Sequence, residues 1–251
     1  MFVGMHKFIS DGVEIAFEEA SEGEPILLIH GFASSARVNW RDTGWVKTLT
    51  DAGRRAITFD NRGHGESGKL YDPDAYTVPQ MAGDALRLLD HLKIARADVM
   101  GYSMGARITA WLTVHHPERV QRAVFAGLAS RIITGVGGGD AIAAGLEAPN
   151  LEDVQGAVPR AFRIFAERTG SDLKALAACM RAGRIKMTAE ELGAIDVPVL
   201  VIAGEQDDVA GSVPELAAII PGSKGVIIPN RNHMNAVGDR EYKDAVVAFL
   251  K

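Results

Sequence analysis

Residues 97–115 read ADVMGYSMGARITAWLTVH, and this stretch decides the fold. It opens on a short, mostly apolar run with the length of a strand and continues, from Ala106 to His115, in a helical pattern. Between the two, Gly101-Tyr102-Ser103-Met104-Gly105 fits G-x-S-x-G. The five-residue match is common by itself; the strand before it and the helix after it give it meaning. A serine on such a turn needs a strained backbone. Gly101 and Gly105 leave room for it, because a side chain at either position would collide with the neighbouring strand or helix. The turn projects the Ser103 hydroxyl into a cleft and aims the Met104 amide, near a helix N-terminus, at a developing oxyanion.

The same alternation extends outward in both directions. Upstream lie PILLIH (25–30) and RAITFDN (55–61), and downstream VQRAVFA (120–126), VPVLVIAG (197–204) and KGVIIP (224–229). Runs that are apolar throughout suit strands covered on both faces. Helical patterns fall between them, at 79–92 and 240–250. In the first, Met81, Ala85, Leu88, Leu89 and Leu92 share one helix face. Strand and helix in repetition predict an α/β fold, with a mostly parallel central sheet and helices on both faces. The segments Lys7–Ile9 and Val13–Ala20 alternate more and predict an antiparallel starting hairpin.

From about 130 to 195 no strand is expected. This stretch carries Gly135, Gly137, Gly138 and Gly139, then alanine-rich helical patterns at 159–168 and 173–181. It reads as a small helical cap inserted into a single domain spanning 1–251, with the glycine run as a flexible entry. It would lie over the end of the sheet where parallel strands deliver their C-termini and where ligands bind.

Composition narrows the class. A net charge of −5 and no Lys/Arg cluster argue against nucleic acid as a partner. The one cysteine, Cys179, allows no internal disulfide, so the chain does not depend on an oxidising compartment. No apolar stretch approaches a membrane span, and the opening MFVGMHKFIS does not read as a signal peptide. The expectation is a cytoplasmic protein with a small-molecule substrate and neither nucleic acid nor membrane as partner. No coiled-coil heptad or other signal fixes an oligomeric state. Two decoys fail on chemistry. GHGESGKL (63–70) nearly matches a phosphate loop, but Leu70 replaces the hydroxyl that would hold magnesium. GVGGGD (135–140) puts Asp140 where a dinucleotide fingerprint needs its third glycine. With no HExxH and no paired cysteines, neither a cofactor nor a metal is expected.

Taken together, the elbow at Ser103, His30-Gly31-Phe32, DNRGHGES (60–67), HPERV (116–120), Gly204-Glu205-Gln206-Asp207 and a late His233 resemble the α/β-hydrolase family over nearly the whole chain. The resemblance implies a nucleophile, acid and histidine in that chain order, met by Ser103, Asp207 and His233. Serine is a weak nucleophile and needs a base; imidazole changes protonation near neutral pH and suits the task. Asp208 stands next to Asp207 and could replace it. Asn232 departs from the glycine that often precedes this histidine in the family. The Phe32 amide is expected to be the second oxyanion donor beside Met104. Phe32, Met104, Val209, Met234, Ile132 and Phe162 are the expected pocket residues, with Ile133, Phe165 and Met180 as further candidates. The resemblance implies a serine hydrolase working through an acyl-enzyme; the apolar pocket candidates and the lack of a cationic clamp for an acidic substrate make small to medium apolar carboxylic esters, and so a carboxylesterase-like activity, the expectation. Related uses of such a triad are lactone hydrolysis, carbon–carbon cleavage and perhydrolysis, and some members of the fold only bind a ligand. Serine at position 103 disfavours the epoxide-hydrolase and dehalogenase chemistries, which use aspartate there.

Overall fold

A two-residue turn starts the chain's architecture. Asp11 and Gly12 both have positive φ, 49° and 77°, which matches the twist of the strands they join. They connect β1 (Phe2–Ser10) and β2 (Val13–Ala20) as the expected antiparallel hairpin. The computed structural model describes residues 2–183 and 185–251. Six further strands follow: β3 (Glu24–Ile29), β4 (Arg54–Phe59), β5 (Ala97–Tyr102), β6 (Val120–Ala126), β7 (Val199–Gly204) and β8 (Lys224–Ile228). Among the described residues these eight form one sheet in the order β1-β2-β4-β3-β5-β6-β7-β8. All pairings from β4 to β8 along this order are parallel.

The helices are α1 (Trp45–Asp51), α2 (Val78–His91), α3 (Met104–His115), α4 (Arg131–Thr134), α5 (Gly139–Glu147), α6 (Ala157–Arg168), α7 (Leu173–Arg181), α8 (Ala189–Gly193), α9 (Val213–Ile219) and α10 (Arg240–Leu250). β5 and β7 are buried along their whole length because alternate residues serve opposite, covered faces. Ile26 and Leu28 of β3 join Trp45 and Leu49 of α1 and Tyr242, Val246 and Leu250 of α10 in one core. Leu27 and Ile29 join Leu88 of α2 and Ile108 and Leu112 of α3 in the other.

Between β6 and β7 the described residues form no strand, and α4 to α8 occupy the interval. The glycine run is less irregular than the sequence suggests. Gly138 takes a left-handed φ of 85° and caps α5, which begins at Gly139. Ile142, Ala143 and Leu146 of α5 are buried at helical spacing, and that burial outweighs the poor helix propensity of glycine. Helices α1 and α9, of seven residues each, carry too few turns to show a period in sequence.

Candidate active site

The central strand β5 ends at Tyr102 and α3 begins at Met104, leaving Ser103 alone at the turn with φ 55° and ψ −110°. A non-glycine residue in this region is strained. The flanking glycines show what makes the turn possible. A Cβ on Gly101 would lie 2.0 Å from the Gly105 carbonyl oxygen, and one on Gly105 would lie 1.9 Å from that of Ile29. Neither gap admits a side chain. Backbone hydrogen bonding fixes the turn to the neighbouring strand, with Ser103 N–H donating to Ala126 O at 2.8 Å.

His233 lies in the loop between β8 and α10. Its Nε2 is 3.0 Å from Ser103 Oγ, and its Nδ1 is 2.9 Å from both carboxylate oxygens of Asp207. A carboxylate only accepts, so Nδ1 carries the proton and Nε2 is free to accept from the serine hydroxyl. Asp207 follows β7 with its side chain fully buried. Its Oδ1 also accepts from the Val209 and Ala210 N–H groups at 3.1 and 3.0 Å. Asp208 is exposed, so of the two adjacent aspartates Asp207 is the one that holds the histidine. Asn232 builds the turn that glycine often provides. Its Oδ1 accepts from the N–H groups of Met234 and Asn235 at 3.0 and 3.1 Å, an Asx turn that organises the chain around His233.

Three supporting contacts, made by Tyr102, Asn39 and His30, have no signal in the sequence, because folding assembles them. Tyr102 O–H donates to the His233 carbonyl at 2.6 Å, with burial raising the phenol's pKa above its ordinary value. Gly127 makes room for that ring, since a Cβ there would lie 2.8 Å from it. Asn39 Oδ1 accepts from Gly31 N–H at 3.0 Å. His30 bridges two loops. Its Nδ1–H donates to Gly31 O at 2.7 Å and its Nε2 accepts from Asn61 N–H at 2.9 Å.

These bonds hold the Gly31-Phe32 turn against the nucleophile. A Cβ on Gly31 would lie 3.3 Å from Tyr102 O and 3.5 Å from Ser103 Cβ. Met104 opens α3, so its N–H has no acceptor one turn back within the helix. The rings of His30 and His64 lie 5.2 Å apart, and both residues are buried. Burial pushes the His30 imidazole down to about 4. Burial, then repulsion from His30, pushes His64 down to about 3. Both are therefore neutral near pH 7; His30 acts as donor and acceptor, while His64 donates from Nδ1 to Arg62 O at 2.9 Å.

Of the expected pocket residues, two meet directly. Phe32 and Met104 are buried, and the Phe32 ring meets Phe162 of α6 edge-on at 5.6 Å. Cys179 Sγ of α7 lies 4.0 Å from Met104 Sδ. Val209 is half-buried beside Asp207, and Met234 is 64% exposed next to His233. Ile132 is fully buried in the core. Ser103 and His233 keep partial exposure, so reagents can reach them. A separate cleft of about 390 Å³ runs between Ser34, Ser35 and Arg37 on one side and Arg168 and Thr169 on the other, with none of Ser103, Asp207 and His233 on its walls. Among the described residues no three His, Cys, Asp or Glu side chains gather as a metal site, and no helix is long and apolar enough to cross a membrane.

Comparison with known proteins places the fold. Residues 24–141 match the family described as alpha/beta hydrolase fold. The chain is 34% identical to 3-oxoadipate enol-lactonase 2 of Acinetobacter baylyi over 61% of each protein, so the match spans less than two thirds of that relative. It is 30% identical, over 90% of each, to a Bacillus subtilis protein provisionally named 2-succinyl-6-hydroxy-2,4-cyclohexadiene-1-carboxylate synthase. A solved hydrolase from Pseudomonas aeruginosa superimposes with a TM-score of 0.82 at 27% identity, over 98% of both chains.

Proposed function

The chain belongs to the α/β-hydrolase fold family, and on that premise we propose that it is a serine hydrolase cleaving small to medium apolar carboxylic esters. The observation that carries the reading is the continuous line Ser103 Oγ, His233, Asp207, closed at 3.0 and 2.9 Å. His233 Nε2 takes the hydroxyl proton as Ser103 Oγ bonds to the acyl carbon. Asp207 stabilises the imidazolium that results. The Phe32 and Met104 amides receive the oxyanion, and each such donor contributes about 3 kcal/mol to the transition state. Collapse expels the alcohol, which takes its proton from His233, and leaves the acyl group on Ser103. Water, deprotonated by the same histidine, releases the acid.

The segment 130–195 acts as the cap, with Phe162 and Phe32 forming an apolar wall for the acyl chain. A chain with one cysteine folds without disulfides, which suits the cytoplasm. A second reading has a specific observation behind it. A lactone is an internal ester and needs the same steps, and one of the relatives is an enol-lactonase.

A fluorophosphonate probe tests the proposal. We expect one covalent adduct, on Ser103, and p-nitrophenyl butyrate turnover that Ser103→Ala lowers by about 10⁴-fold or more. Folded protein with Ser103 unlabelled, or full activity in the alanine variant, would sink it. Faster turnover of lactones than of open-chain esters would select the second reading.

A further inference from the structure

Arg107 lies one turn beyond Ser103 on α3 and is 3% exposed. Its Nη1 donates to the carbonyls of Ile132 at 2.9 Å and Ile185 at 3.0 Å, and its Nη2 to that of Arg131 at 2.9 Å. Arg131 and Ile132 belong to the leg by which the chain enters the cap; Ile185 belongs to the leg by which it leaves. One side chain therefore holds both legs. The legs also meet each other. Met187 N–H reaches Ile132 O at 3.4 Å, and a Cβ on Gly135 would lie 3.0 Å from Lys186 Cε.

The entry leg is bonded on its other side to the loop that carries Asp207. Ala129 and Arg131 N–H both donate to Ala210 O, at 2.7 and 3.3 Å, and Ser212 N–H donates to Ser130 Oγ at 2.9 Å. Ala210 in turn gives its N–H to Asp207 Oδ1 at 3.0 Å. The neck of the cap thus sits between the helix of the serine and the loop of the acid.

We propose that Arg107 is a positioning residue that clamps the cap's neck to the nucleophile's helix, and so sets the height of the cap-side acyl wall above Ser103. The proposal rests on Ser103 being the nucleophile. The chemistry of the side chain suits the task. α4 is a single turn in which Arg131 O accepts from Gly135 N–H at 2.9 Å, Ile132 O takes the Met187 N–H, and the second lone pair of each carbonyl is left for an Arg107 N–H. A guanidinium offers five N–H groups in a rigid fork and can serve three carbonyls together, whereas an ammonium on a flexible stem reaches fewer in a fixed geometry.

The consequence is selective. An acetyl group reaches little beyond Ser103, while a hexanoyl chain needs the wall that includes Phe162. In the full-length Arg107→Met protein, kcat/KM for p-nitrophenyl hexanoate should fall about tenfold, mainly through KM, while the acetate changes less than about threefold. Protease cleavage within 131–187, measured without substrate, should speed up about tenfold. Arg107→Lys should recover part of both effects. Equal losses on the two esters would mean only that less enzyme is folded, and would overturn the proposal; so would unchanged neck cleavage. If Arg107→Met does not fold, the ratio of hexanoate to acetate in Arg107→Lys decides the same question. Failure of wild-type Ser103 to take the fluorophosphonate would remove the hydrolase reading, while neck cleavage still decides the clamp.

Discussion

Ser103 holds its φ of 55° only because its neighbours at 101 and 105 lack a Cβ. Gly105→Ala drives a methyl to 1.9 Å from Ile29 O, a backbone atom that cannot swing away. We expect a loss of at least about 3 kcal/mol, seen as a lower urea midpoint or as insoluble protein. Gly137→Ala meets nothing within 4 Å and is the matched control, with no measurable shift expected. Asn232→Ala removes the acceptor for two turn amides. It should lower kcat by about tenfold in a protein whose thermal midpoint moves little, since misplacing a general base costs rate before stability. At this scale the sequence carried Ser103, Asp207 and His233, because residue type and chain order express their chemistry. It put Asp207 first by its place after the strand and left Asp208 as a rival, since neighbours of one type differ in where the backbone points them. Tyr102, Asn39 and Arg107 were not legible, because their partners are assembled by folding and leave no local pattern.

Elements were legible where a period had room to show. The strands and α2, α3 and α10 follow from repeating apolar positions, whereas α5 was hidden by glycines whose cost its buried face repays. Among the cap helices, α7 has an anchor that can be tested. Asp172 Oδ1 caps it through the Ala175 N–H at 3.0 Å, while Oδ2 accepts from Tyr71 O–H at 3.0 Å on the loop before α2. Asp172→Ala should cost about 1 kcal/mol and speed amide exchange in the first turn of α7. Tyr71→Phe, which keeps the cap, should leave that exchange unchanged.

For the molecule as a whole, the buried pair His30 and His64 predicts acid sensitivity. Their folded pKa values, about 4 and about 3, lie below those of exposed histidine. Between those values and the ordinary histidine range the unfolded chain binds more protons, so stability rises with pH and is lost as pH falls. Unfolding free energy from urea titrations should drop by roughly 3 kcal/mol between pH 7 and pH 5, allowing for incomplete exposure of the unfolded chain. An unchanged midpoint across that interval would contradict the pair's neutral, buried state. The mostly parallel sheet and its two covered faces were foreseeable from the alternation of apolar runs, but the strand order and the loop contacts that bury these histidines were not. The chain's single thiol adds a last consequence. Cys179 is 2% exposed and faces Met104 from the underside of α7. An alkylating reagent can meet it only when that helix lifts, so the rate of its modification is a stopwatch for the cap, supplied by the native sequence and needing no engineered label.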